Sequence, residues 1–397
     1  MKKPRNSLPR LGAGGASPAL QYGALLAVCL FAFAIAIVYL YYFGLYNTNY
    51  WPDEGRYIAM ARRILTEHVY SYWGEGSDAY VSFGFPLFLT AGMALFGADV
   101  KGILCIKILQ CFLAAVTVFL TYLLGRMLTQ KYSVGLIAAV IIALNPVYYL
   151  YTSRLLTETF YFFTMMLFFV VFLWARRGEK LWRYALAGAL FALTVMVRPL
   201  IVVTLPFLFL PSLVERWKQW KVFFTPVLLF SAGFIAVCLP WWIRNLVTLG
   251  QFIPLATQTN PIYAGLAPNP DAMGLTDPGS FMGNLKLLFR LIAEDPVGTL
   301  HWMTFGKFDI FFMQPVAMTP ETISTFMQGI TVWLGLFGAL RTLFTRRYWG
   351  PTLVFWAYLA ASFLFIPVSR YALQYFPFMA ICAGYLLVTS FSNREDP

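Results

Sequence analysis

Two adjacent acids and an arginine, in Asp53-Glu54-Gly55-Arg56-Tyr57, are the first residues in this chain whose types and spacing could do chemistry. They follow Trp51-Pro52, just after the first long apolar run. A carboxylate there could take a proton from an attacking group. An arginine beside it could hold an anion through paired hydrogen bonds. Glu158 stands at the start of a later apolar run, and Arg154, Arg198, Arg244 and Arg370 also sit hard against such runs. Ionisable groups at or inside spans are functional candidates, because an arginine inside a span costs about 2.5–3.5 kcal/mol on insertion scales. Any one of these arginines could equally be a snorkelling side chain. Five separate arginine-bearing segments, at 56, 154, 198, 244 and 370, favour a shared anionic ligand. Asp53 and Glu54 also have a plainer reading, since proline with acids in the first turn is how an ordinary helix begins. The same reading applies to Glu158.

The elements that must position these groups are apolar. Of the 397 residues, 60% are hydrophobic, 18% aromatic and only 12% charged, against about 25% charged in a soluble domain. Runs of about 20 apolar residues are long enough to cross a hydrocarbon core of about 30 Å. The chain therefore reads as an all-α polytopic membrane protein. Its net charge of +12 does not point to nucleic acid, because Lys and Arg gather in short loops between apolar runs, the positive-inside pattern. Cys29, Cys105, Cys111, Cys238 and Cys382 lie within apolar runs and form no metal-type pair. His68 and His301 are solitary, and no D-x-D signature, Gly-rich phosphate loop or Ser-His-Asp order stands out. No cofactor or metal is indicated.

Ten spans are expected, at about 21–43, 103–124, 134–150, 157–174, 184–197, 200–213, 223–243, 322–344, 351–368 and 371–391. Segment 84–96 is too short to cross, and counting it as a crossing would put the later basic loops on the wrong side. It is expected to be an interfacial or re-entrant helix. Both termini are then cytoplasmic, with a disordered basic tail over 1–19 and a short tail over 392–397. Residues 20–391 form one membrane domain with outer loops 44–101 and 244–320 and an amphipathic helix near 281–293. Pro199 after Arg198 predicts a break and a tight outward hairpin.

Taken together, these motifs resemble the polyprenyl-phosphate-sugar-dependent glycosyltransferases of the GT-C fold, in the protein mannosyltransferase and aminoarabinose transferase branch. Asp53-Glu54-Gly55-Arg56-Tyr57 followed by Ala61-Arg62 is similar to that branch's D-E-x-R-Y pattern. Asn145-Pro146 with Thr157-Glu158, Arg198-Pro199, Pro240-Trp241-Trp242-Ile243-Arg244-Asn245 with Gly250-Gln251-Phe252, and Ser369-Arg370-Tyr371 with Pro377 resemble its later elements in order. The likeness covers about residues 20–390. It departs at Ser82-Phe83-Gly84-Phe85-Pro86, where the family often carries a His or Lys, and in lacking the soluble C-terminal domain of the aminoarabinose branch.

The resemblance implies transfer of a sugar from a polyprenyl monophosphate donor to a glycan, lipid or protein acceptor on the outer face of a cell membrane, with the bacterial inner membrane the expected setting. Asp53 would be the base, and Glu54 and Glu158 the other carboxylates of the catalytic set, Glu54 orienting the loop and Glu158 assisting or pairing an arginine. Arg56, Arg198, Arg244 and Arg370 would bind the donor phosphate. Trp51, Tyr57 and Tyr371 would contact the sugar. One base without a covalent nucleophile implies inversion at C1. The alternative is a transporter or flippase for a lipid-linked or anionic solute, for which an internal repeat and a midplane site would be expected; neither is visible in the sequence.

Overall fold

The computed structural model describes residues 17–45, 51–216, 219–258, 260–314, 321–345 and 347–390. The expected tails therefore lie outside the described residues, apart from positions 17–19. Every regular element among the described residues is helical. In chain order the first ten α-helices are α1 (Pro18–Tyr39), α2 (Pro52–Glu67), α3 (Gly84–Phe96), α4 (Val100–Thr129), α5 (Tyr132–Ala143), α6 (Pro146–Thr152), α7 (Thr157–Arg177), α8 (Trp182–Val197), α9 (Leu205–Arg216) and α10 (Trp220–Leu249). Later come the helices Phe281–Glu294, Glu321–Leu343, Trp349–Ser362 and Phe376–Ser390.

Among the described residues, six helices are long and apolar enough to cross a membrane, and α5 with α6, bent by 62°, makes a seventh candidate. The remaining three expected crossings are helices too, in α8, α9 and Trp349–Ser362. They are shorter than the roughly 20 residues that a straight span needs. The segment 84–96 is the 13-residue helix α3, as short as expected. The amphipathic helix expected near 281–293 is present, burying Leu288 and Leu291.

Local signals set the element ends that matter for the site. Pro52 starts α2, with Asp53 and Glu54 in its first turn. Asn145 caps α6 by accepting from the backbone N–H groups of Val147 and Tyr148. Helix α8 stops at Val197, Arg198 is extended, and a 3-10 turn begins at Pro199. That break is what proline's missing N–H and ring sterics require. The start of α3 comes so close to the end of α8 that a Cβ at Gly84 would lie 2.6 Å from the Met196 carbonyl oxygen. A bare glycine there lets α3 support the turn that carries Arg198. The core is built by α4 against α1, α5 and α7, by α7 and α10 against α8, and by Phe376–Ser390 against α5 and Glu321–Leu343.

Candidate active site

Four segments far apart in sequence meet, at the first turns of α2 and α7, at the break after α8 and at Ser369–Ala372. The Arg370 Nη2 donates to Asp53 Oδ2 at 2.9 Å. Arg370 Nε lies 3.9 Å from Glu158 Oε1. The same oxygen accepts from Arg198 Nη2 at 2.5 Å. Arg198 also donates twice to the Thr157 hydroxyl, at 2.9 and 3.0 Å. Tyr371 lies beneath both guanidinium groups, each 5.1 Å from its ring centre. Asp53, Glu158, Arg198, Arg370 and Tyr371 therefore form one cluster in which charges alternate. Two acids and two arginines leave it formally neutral, so an incoming anion meets arginines already oriented by carboxylates.

The arginines differ in what they have left to give. A guanidinium has five N–H donors. On Arg370, Nη2 bonds Asp53 and the Tyr371 hydroxyl and Nε is sealed toward Glu158, whereas Nη1 has no partner among the described residues, so its donors remain for a phosphate. On Arg244, Nη1 donates to the Asp78 carbonyl at 2.6 Å and to Asn245 Oδ1, and Nη2 donates to the Tyr70 carbonyl at 3.0 Å. Arg244 thus ties the loop after α2 to α10, and the structure does not bring it into the cluster. Arg56 lies over Trp73, 4.6 Å from the ring centre, and also stays outside. Of the residues expected to contact sugar, only Tyr371 joins the cluster. Trp51 packs edge-on against Tyr151 and carries the Arg154 guanidinium. Tyr57 packs against Tyr72 and Phe85. Burial, with the charges of Asp53 and Glu158 adding to it, pushes the Tyr57 phenol above its ordinary range.

The three carboxylates expected to act in catalysis are not equivalent. The Asp53 side chain is 36% exposed, whereas Glu158 is 1% and Glu54 0% exposed. Glu54 points into the core, 3.1 Å from Lys107 Nζ and 3.6 Å from Arg154 Nη1, and accepts the Leu155 backbone N–H at 3.0 Å. Sealed from any substrate, it joins α2, α4 and the α6–α7 turn, and so sets where Asp53 stands. From there it can orient the loop but cannot exchange a proton with a substrate. Glu158 is likewise held by Arg198. It orients the two arginines and has no open face from which to react.

Lys107 has a role that composition did not reveal. Its signal was a lysine, followed three residues later by Gln110, in the interior of an apolar run. Gln110 holds the carbonyls of Thr152 and Arg154 at 3.1 and 2.7 Å. In this buried group the Glu54 carboxylate faces two cations, Lys107 and Arg154. Removing one partner of a buried pair strands the other charge and costs about 3–5 kcal/mol. Glu54→Gln is therefore expected to lower the melting temperature in detergent sharply, and Glu54→Gln with Lys107→Met to recover part of that loss. Additive losses in the double variant would contradict the coupling.

Comparison with known proteins follows the same lines. Residues 81–243 match the family model described as dolichyl-phosphate-mannose-protein mannosyltransferase. That stretch holds Glu158 and Arg198, whereas Asp53 and Arg370 fall outside it. No curated protein matches by sequence. Among solved structures, the archaeal oligosaccharyltransferase AglB from Archaeoglobus fulgidus, in complex with an inhibitory peptide and a dolichol-phosphate, matches with a TM-score of 0.62 at 16% identity, over 94% of this chain and 50% of that one. The Archaeoglobus fulgidus oligosaccharyltransferase in complex with Zn and sulfate matches with a TM-score of 0.62 at 14% identity, over 93% and 49%. Its apo form gives 0.58 at 15% identity, over 94% and 50%. The chain spans about half the length of these structures, and at such identities the likeness is one of fold. The fold they share with this chain is the GT-C fold. The sequence match, over residues 81–243, is to the protein mannosyltransferase family.

Proposed function

We propose that this chain moves a sugar from a polyprenyl monophosphate donor to an acceptor hydroxyl or amine on the extracytoplasmic face, with inversion at C1. The observation that carries the reading is the unequal exposure of the three acids. Asp53 alone keeps an open face, and it does so bonded to an arginine with donors to spare. In the reaction the acceptor attacks C1 and its proton passes to the Asp53 carboxylate. The bond from C1 to the phosphate oxygen breaks, and its electron pair leaves with the phosphate. That leaving group is already anionic, so it needs cations and hydrogen bonds rather than an acid. Arg370 supplies them directly, with Arg198 behind it. Glu158 and Tyr371 hold both in place.

An apolar cavity of about 100 Å³, lined by Phe169, Phe172, Phe207, Tyr358 and Phe378 among others, lies between α7, α9 and Trp349–Ser362. Tyr358 joins it to the cluster, since its hydroxyl pairs with that of Tyr161, whose ring lies under Arg198. It suits a prenyl chain threaded between helices from a phosphate held at the cluster.

The test uses sealed right-side-out vesicles carrying labelled polyprenyl-phosphate mannose or polyprenyl-phosphate glucose, with cell-envelope material supplied outside. Labelled product with inverted anomeric configuration is expected. Retention at C1, or product only from inverted vesicles, contradicts the proposal.

A further inference from the structure

The loop between α2 and α3 is held more rigidly than a linker would be. Asp78 Oδ2 accepts from the Tyr72 backbone N–H at 2.6 Å, and Asp78 Oδ1 accepts from the Tyr80 N–H at 3.0 Å. Gly74 turns the chain at a φ of +94°, a conformation glycine adopts without strain. The loop presents aromatic rings in a fixed arrangement. Tyr72 is buried and stacks on Tyr80, with ring centres 5.1 Å apart. Trp73 stands at 61° to Tyr80 and is 53% exposed. Arg56, one helical turn after Asp53, lies over Trp73 and makes no ion pair with the described residues. Across the corner, the Tyr80 hydroxyl donates to Asn260 Oδ1 at 3.4 Å. The Asp53 charge reaches this corner, where it helps push the Tyr72 and Tyr80 phenols upward after burial has done most.

We infer that this corner, formed by Trp73, Tyr80 and Arg56, is a saccharide-binding subsite that seats the acceptor against Asp53. The inference rests on the transferase reading of the neighbouring cluster. Asp53 Oδ2 is committed to Arg370, so an incoming hydroxyl meets Oδ1, which has no partner among the described residues. In-line displacement requires the acceptor to approach away from the leaving phosphate. The loop corner flanks Asp53 while the arginines hold its other oxygen. A sugar ring offers an apolar C–H face to an aromatic ring and a rim of hydroxyls to a guanidinium, an amide and a carboxylate. That is the set present here. Membrane anchoring does not account for it, because rings that belt an interface face lipid. Here Tyr72 and Tyr80 face each other, Arg56 covers Trp73, and the adjoining tip carries Glu75 between two glycines.

Saturation-transfer NMR on the full chain in detergent tests this with mannotriose, maltotriose and chitotriose as probes. At least one trisaccharide should bind. Trp73→Ala should weaken it about tenfold, the upper range for one aromatic contact, and Trp73→Phe should restore part of the loss at an unchanged melting temperature. Binding by none of the three, binding untouched by Trp73→Ala, or binding by a serine/threonine peptide alone would each overturn the inference. Release of polyprenyl phosphate from a polyprenyl-phosphate sugar, measured in parallel, separates the two readings. Release without saccharide binding would remove the subsite and leave the transferase. Trp73-dependent saccharide binding without release would leave the subsite and remove the transferase.

Discussion

Asp53→Asn should lower sugar transfer by about 10²–10⁴-fold, the span typical of a lost general base, while leaving donor affinity within a few-fold of wild type. The substitution keeps the side chain's shape and its oxygen toward Arg370 but removes the group that takes the acceptor's proton. It should also leave the fold intact, because Asp53 and its partner Arg370 are both partly exposed. Its neighbour behaves oppositely. Glu54→Gln acts on stability first, because its buried carboxylate faces two buried cations, Lys107 and Arg154. Single-turnover transfer alongside thermal melting separates the two. Normal turnover by Asp53→Asn at normal expression would remove it as the base.

Arg370→Ala is the second large effect, and it should fall on donor binding. A hydrogen bond to a charged group contributes about 1.5–3 kcal/mol, so loss of one should weaken donor affinity by about 10- to 100-fold. The variant also frees Asp53 and leaves Glu158 paired to Arg198 alone, so turnover at saturating donor should fall as well. Arg370→Lys keeps the charge but not the fork and should lie between. Arg244→Ala should instead loosen the loop after α2, since its bonds go mainly to backbone carbonyls. Equilibrium binding of a labelled polyprenyl-phosphate sugar reads both variants. Unchanged affinity in Arg370→Ala would exclude it from the phosphate site.

Much of this arrangement was legible in the sequence, and particular residues show where legibility stopped. Pro52 with two acids marked a helix start, Arg198-Pro199 marked a break, and the apolar runs marked helices that the structure contains. The division of labour between Asp53 and Glu54 was not visible. Adjacent residues on an α-helix point about 100° apart, so one can face a cleft and the other the core, and composition cannot say which. The Asp53–Arg370 pair joins residues 317 positions apart, beyond the reach of any local pattern. Arg244 looked like an anion ligand because it stands at the end of an apolar run. Backbone carbonyls of a neighbouring loop meet the same need, and only the folded chain reveals them. Crossing number was blurred for a related reason. Helices such as α8 and Trp349–Ser362 are apolar enough to be buried in protein or lipid, and length alone does not separate the two.

At the centre of the proposed function stands cleavage of a polyprenyl-phosphate sugar by a displacement that depends on Asp53. The most direct measurement is mass spectrometry of free polyprenyl phosphate after the purified protein is incubated with a panel of polyprenyl-phosphate sugars and cell-envelope acceptor material, with Asp53→Asn run beside it. Release of polyprenyl phosphate from one donor, abolished in Asp53→Asn, is the predicted result and would also name the sugar. Equal release by both proteins, or none from any donor that demonstrably binds, would contradict it.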